Sequence, residues 1–292
     1  MKEVILLLGV SLLFIPIFLT LILGFRNNSL SIDMEYVKDP FYFGNSFRKK
    51  ISDVIFSSTI INKNLVKAKL SREELIVFGK INFINSVVYR NCVYVSFGEN
   101  HIRKGTYFEK EILSTGNLYI GEDSVLRAVA SNADIFLGKG VHIVRWIDAQ
   151  GSIQLGEDCI LGISSASKKE IKLAKGVRFT RLFGFPVCTN KNRIKNPSRE
   201  IRENRYGKEV VIHADESLLI VGDIFADEKI ELKNVKVIGN IFCHGDVYLE
   251  NVEVGDENSY FSVIGNKVFI SGNSNVSIFG YIQAGYLKGF VV

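Results

Sequence analysis

Four histidines, four cysteines and two adjacent carboxylate pairs are the residues of this 292-residue chain whose types could do chemistry. His101, His142, His213 and His244 are scattered, and no two have the spacing that sets a pair of imidazoles on one metal ion. Cys92, Cys159, Cys188 and Cys243 form no CxxC pair, so neither a zinc site nor a thioredoxin-type couple is written here. Unpaired thiols fit a reducing compartment. Glu122–Asp123 and Glu157–Asp158 could in principle divide acid and base roles. Neighbours in sequence on a turn do not enclose a substrate, however, which makes them a poor pair for that work. A Walker loop, a GxGxxG turn after a strand, HExxH and GxSxG are all absent. No catalytic, cofactor-binding or metal-binding residue is assigned, no cofactor is expected, and the chain reads as a non-enzyme.

The elements that would position such residues are written as a repeat. "DIFLGKGVHI" at 134–143, "SIQLGEDCIL" at 152–161 and "EIKLAKGVRF" at 170–179 are copies of one phrase, and "NLYIGEDSVL" at 117–126 is an earlier one. Aligned on Gly121, Gly138, Gly156 and Ala174, the copies are spaced by 17, 18 and 18 residues. Before that column stand Ile120, Leu137, Leu155 and Leu173; five after it stand Leu126, Ile143, Leu161 and Phe179. Alternating apolar residues mark strands with one face inward, and the Gly or Asp between them suits a turn. Short strands at a fixed period of about 18 predict stacked coils of a parallel β-helix, an all-β solenoid.

The register has further consequences. Cys159 shares a column with Val141 and Val177, and Cys243 with Ala226, so both are expected to be inert core thiols. His142 falls in an outward column with Val125, Ile160 and Arg178, and His244 in "CHGD" falls at a turn. Glu122, Lys139, Glu157 and Lys175 alternate in sign up one edge, while Asp123, Gly140, Asp158 and Gly176 form a turn column.

A second block repeats "VGDIFADEKIEL" at 221–232 as "IGNIFCHGDVYL" at 238–249, with weaker echoes at 263–270 and 278–284. The first coil is placed at 77–89. The expected organisation is a transmembrane helix over 4–25, a juxtamembrane lead-in over 26–75, a first β-helix block over 76–182, an inserted loop over 183–209 and a second block over 210–292. The loop carries Lys191, Arg193, Lys195, Arg199, Arg202, Arg205 and Lys208. It reads either as a solvated connection or as a basic arm for a partner or for anionic lipid.

Residues 4–25 contain no charge, and as a helix of about 1.5 Å per residue they would cross a hydrocarbon core of about 30 Å. The apolar run is longer than a usual signal-peptide core, and "LGFRNN" offers no small-x-small cleavage site. Lys2 on one side faces Arg26, Lys38, Arg48, Lys49 and Lys50 on the other, which favours a cytoplasmic body at the inner membrane. "DPFYFGNSFRKK" at 39–50 reads as a folded segment capping the first coil or as an interfacial one. A net charge of +5 suits anionic surfaces and is too weak to argue for nucleic acid.

The phrases "IVGDIFADEKIEL", "VIGNIFCHGDVYL" and "SIFGYIQAG" each place Ile or Val two before a glycine and Ile two after it, and in this the second block resembles the bactofilins, whose hallmark is a recurring V-x-G-x-I phrase. That resemblance implies a short β-helix that polymerises end to end without nucleotide, a scaffold on the cytoplasmic face of the membrane, and no catalytic residues. The chain departs from that pattern in its apolar N-terminal run, its longer body and its basic loop. The terminal phrase "YIQAGYLKGFVV" is apolar and lacks a charged cap, so Phe290, Val291 and Val292 are the expected self-assembly residues. Expected partners are a second copy of the chain, the membrane through 4–25, and envelope or cell-wall proteins. Two other readings stand beside it. A hexad from Leu137 to Phe179 is similar to the hexapeptide-repeat acyltransferases, with His142 or His244 as the only candidate bases, and an outward-facing β-helix could bind envelope carbohydrate.

Overall fold

The alternation read from the repeats places every second side chain in one column, and columns of Ile, Val and Leu can leave water only by stacking rung on rung. The computed structural model describes residues 39–57, 65–70, 73–78, 88–90, 92–189 and 197–292. They build a β-solenoid of about 11 turns. The repeated phrases lie directly above one another: Ile143 pairs with Leu126 below and Leu161 above, and Ile153 pairs with Ile135 and Ile171. Leu126, Ile143, Leu161 and Phe179 form one buried column and Ile135, Ile153 and Ile171 another. Burying a side chain of this size is worth about 1.5–3 kcal/mol, so the repeated ladders supply most of the driving force.

Three faces run along the solenoid. The first takes 74–78, 92–96, 112–114, 128–131, 146–149, 164–167 and 181–184 from the first half. The second takes 100–102, 118–120, 135–137, 153–154, 171–172 and 187–188. The third takes 107–108, 125–126, 142–143, 160–161 and 178–179.

The second half does not continue upward from the first. Its final rung lies on the final rung of the first half, and the contact is antiparallel on all three faces. Leu182 and Phe183 pair with Ile282 and Tyr281, Val187 with Ile278, and Arg178 with Phe290. Going outward from this junction, the second half runs in reverse sequence order: 261–264, 241–242, 224–226 and 205–207 on the first face. The second face continues through 253–254, 235–237, 218–221 and 199–201. The third continues through 268–270, 247–249, 229–232 and 209–212.

The C-terminal rung is therefore covered, contrary to the bare end expected from its sequence. Val291 N donates to Val177 O at 2.9 Å, Gly176 N donates to Val291 O at 2.9 Å, and Val292 N donates to Ile270 O at 2.9 Å. Val291 is 2% exposed. "YIQAGYLKGFVV" is apolar because it forms an internal seam, where unpaired strand edges of the two halves satisfy one another.

The turn column explains its own alternation. Asp123 and Asp158 adopt φ of 54° and 58°, and Gly140 and Gly176 adopt 69° and 79°. A Cβ on Gly140 would stand 2.5 Å from Asp123 Oδ1, and one on Gly176 would overlap the Asp158 carboxylate. Each aspartate thus occupies the space above the next rung's glycine, and two side chains in succession would collide. At the same corner Lys139 Nζ lies 3.3 Å from Glu157 and 3.4 Å from Asp158, as the alternating signs require.

Two segments depart from the sequence reading. Within 26–75, helix α1 (Tyr42–Ser57) lies along the outside of the first face rather than capping a coil, and Leu65–Leu70 forms an antiparallel hairpin with Glu73–Phe78. The 183–209 segment is not one loop: 181–188 and 199–201 are strands, and Arg205–Val221 is a strand of 17 residues. Its centre at 190–196, with Lys191, Arg193 and Lys195, lies outside the described residues, as does the apolar run 4–25. Among the described residues no helix is long and apolar enough to cross a membrane.

Candidate functional site

The residues that could do chemistry are kept apart by the ladders. His142 sits between Val125 and Ile160 in its outward column, and burial lowers the pKa of its imidazole. His101 stacks on Tyr119 at 4.5 Å between centroids. His213 Nε2 meets Glu231 Oε1 at 2.8 Å, and His244 Nδ1 meets Asp227 Oδ1 at 3.4 Å, both pairs at the surface. Among the described residues no three His, Cys, Asp or Glu side chains converge to hold a metal ion. Cys159, Cys188 and Cys243 are buried and unbridged; burial pushes the Cys159 thiol up to about 11 and raises that of Cys243. A thiol so protonated is packing material rather than a nucleophile.

The expected self-assembly residues lie in the seam. Phe290 pairs with Arg178 across it and stacks on Phe269 at 5.3 Å, with the Arg178 guanidinium 5.7 Å from its ring centre. Val291 belongs to the core, and Val292 is half-exposed beside it. The described basic candidates instead occupy the second half's rung farthest from the seam. Arg199 stands in Arg199–Ile201, Arg202 pairs with Glu200, and Arg205 with Glu203 at 2.5 Å.

That distal rung, 199–213, is the open end of the second half. Among the described residues its strands 205–207 and 209–213 have a neighbour on one side only, namely 224–226 and 229–233. Tyr206 is 70% exposed and Val211 51%. Sequence reasoning missed this edge because the charged residues of 199–209 hide the alternation there. The pairing of Arg205 with Ile224 and of Val210 with Ile230, 19 and 20 residues on, was the available signal.

Behind this edge, on the outer side of the first face, Tyr206, Phe225 and Phe242 form a ladder. Their centroids are 5.2 Å and 6.2 Å apart, with planes 5° and 29° from parallel. Together with Gly207, Ala226, Asp227 and His244 they line an open groove of about 550 Å³. Aromatic rings at an exposed ladder are costly to leave in water, and a contiguous patch of them marks a contact surface. The aligned Phe225 and Phe242 of the two copied phrases were visible as a repeat, but not as a groove. What the fold and this site define, among the described residues, is a β-solenoid with an open rung and an exposed aromatic strip. Compared with known proteins, the chain matches no family model, no curated protein and no solved structure.

Proposed function

We propose that the chain is a bactofilin-like scaffold, tethered to the inner membrane through residues 4–25 with its solenoid in the cytoplasm, that associates end to end with a second copy and has no enzymatic activity of its own. The observation that carries the reading is the open distal rung 199–213, together with the chain's own seam. At the seam two solenoid ends already join by antiparallel rung-on-rung pairing on three faces, so the same geometry is available to two copies of the distal rung. Mixed charges there, Arg199, Arg202, Arg205 and Lys208 against Glu200, Glu203 and Glu209, let one register pair opposite signs and penalise others. The apolar run 4–25 supports the tether, and the excess of Lys and Arg after it supports the cytoplasmic side.

The test is the oligomeric state of the full chain in lipid nanodiscs or detergent, by mass photometry and negative-stain imaging over a concentration series. The chain should form dimers or longer end-to-end assemblies, and Val211→Lys, at an exposed edge position, should leave only monomers with intact β-structure. A wild-type chain that stays monomeric at the highest concentration refutes the proposal.

A further inference from the structure

The outer side of the first face is treated differently in its two halves. In the first half α1 covers it. Phe43, Phe47, Ile51, Val54 and Ile55 of the helix pack on Leu75, Val77, Val95, Leu113, Ala128, Ala130 and Trp146, which point outward from successive rungs. Phe47 meets Trp146 edge-on at 5.7 Å, and Phe43 lies over it at 6.5 Å. Phe43 to Val54 is 11 steps of about 1.5 Å, or about 17 Å. Rungs 74–78 to 146–149 are four spacings of about 4.8 Å, or about 19 Å, so the helix axis follows the solenoid axis.

Registered pairing carries the same outward columns across the seam. The Trp146 column continues through Ser164, then Arg181, Gln283, Ile264, Phe242, Phe225 and Tyr206. The Asp148 column continues through Ala166, Phe183, Tyr281, Ser262, Asn240 and Asp223. In the second half these columns present aromatic rings flanked by a carboxylate, as the first half presents Trp146 flanked by Asp148. There, however, Tyr206 and Phe242 stand exposed, and a groove runs along them.

From this continuity with the α1 interface, we propose that the strip Tyr206–Phe225–Phe242 is the seat for an amphipathic helix of a partner protein. The helix has an aromatic and aliphatic stripe about three turns long and a basic residue beside it. Its stripe lies along the ladder as that of α1 lies along Val95, Leu113 and Trp146. Its basic residue reaches Asp223 or Asp227, as Arg48 reaches Asp148 at 2.6 Å. This seat serves a different contact from the end-on edge: Phe242 is two rungs away from that edge.

The probe is a fluorescent peptide of the α1 sequence, YFGNSFRKKISDVIFS, added to the full chain, whose own α1 fills the first seat. The readout is fluorescence anisotropy. Saturable binding is expected. Phe242→Glu should weaken it at least ten-fold, whereas Val95→Glu in the first seat should not. A peptide of the same composition in scrambled order should bind at least ten-fold more weakly. Circular dichroism of Phe242→Glu checks that the solenoid is intact, and Phe242→Ser provides a second, uncharged variant expected to act in the same direction. Absence of saturable binding, equal binding of the scrambled peptide, or binding lost with Val95→Glu and kept with Phe242→Glu overturns the proposal. Saturable binding of a soluble oligosaccharide that Phe242→Glu abolishes, with no peptide binding, likewise overturns it and assigns the groove to carbohydrate. Loss of end-to-end association in Val211→Lys leaves the peptide result unchanged, so the two proposals fail separately.

Discussion

Arg48→Met should release α1 from the solenoid while leaving the solenoid folded. Arg48 is the polar pin of an otherwise apolar contact: one Nη lies 2.6 Å from Asp148 Oδ1 and donates to Ser131 O at 2.7 Å, and Nε donates to Asn132 Oδ1 at 3.0 Å. The Asp148 side chain is 3% exposed and that of Arg48 15%. Gly44 lets the helix backbone approach this carboxylate, since a Cβ there would overlap it. Removing one partner of a buried pair strands the other charge and costs about 3–5 kcal/mol. The partial exposure of Arg48 lets water reach the variant, which argues for the lower end, about 3 kcal/mol. At about 1.4 kcal/mol per decade, the opening equilibrium of α1 rises about 100-fold. Native-state hydrogen exchange should show this loss of protection in 46–57 and no change in the buried 143 and 161 strands. Trp146, the single tryptophan, is 6% exposed beneath Phe43 and Phe47, and its emission should shift to the red in step. Adding Asp148→Val should restore protection to within about 1 kcal/mol, because an apolar pair of similar shape replaces an ion pair at little cost. Less than a three-fold change in α1, or an equal rise through all the rungs, refutes the view of α1 as a separately docked element.

Val291→Ala, in the seam, should cost about 2 kcal/mol as a core truncation and lower Tm by about 4–8 °C by calorimetry, with no change in oligomeric state. Gly140→Ala should cost about 1–3 kcal/mol in urea unfolding from its positive φ and its collision with Asp123; adding Asp123→Gly should recover the collision part, and no recovery would falsify the register. Cys159, with a pKa of about 11, is about one part in a thousand thiolate at pH 8, so iodoacetamide should leave it unlabelled in the native chain by peptide mass spectrometry and label it in urea. His142 is held below the ordinary imidazole range by burial, so the folded chain binds fewer protons than the unfolded one as pH falls through that range, and stability drops on the acid side. His142→Val should therefore lose less stability than the wild type between pH 7 and pH 5.5 in urea titrations; an unchanged difference would count against this reading.

The coils of the first half were legible because each rung restates the same rule. A glycine or aspartate at the turn, apolar residues on either side and opposite charges at the corner are all visible within 18 residues. The reversal of the second half was not legible, because a strand has the same in-and-out alternation whether its neighbour is parallel or antiparallel. "YIQAGYLKGFVV" looked like an uncapped end for the same reason: an apolar final rung is written identically whether it meets another molecule or its own chain. Helix α1 has Phe43, Phe47, Ile51 and Ile55 at steps of four, but Gly44 and the run Arg48–Lys49–Lys50 mask it. Both oddities belong to the contact, since Gly44 admits Asp148 and Arg48 neutralises it. Tyr206 escaped notice because the charges around it suggested a loop, whereas charged residues are also how an open strand edge is protected from indiscriminate pairing.

The direction of the second half decides what kind of assembly the open rung can make. In a solenoid that ran one way throughout, the last rung of one copy would meet the first rung of the next, a heterologous contact that repeats without limit. Here the C-terminal rung is spent on the seam, and the distal rung comes from the start of the second half. Two copies meeting through 199–213 use the same surface on each, so the contact is isologous and closes on a pair. Longer assemblies need a second contact at the α1 end, where Leu65–Leu70 already pairs along the Glu73–Phe78 edge. A pair joined this way sets the two α1 ends far apart, facing away from each other, and brings the two aromatic strips close together near its centre. Dimers should therefore dominate the concentration series. Truncating the chain at Thr189 would expose the rung 178–188 and convert this closed pairing into association through the seam surface.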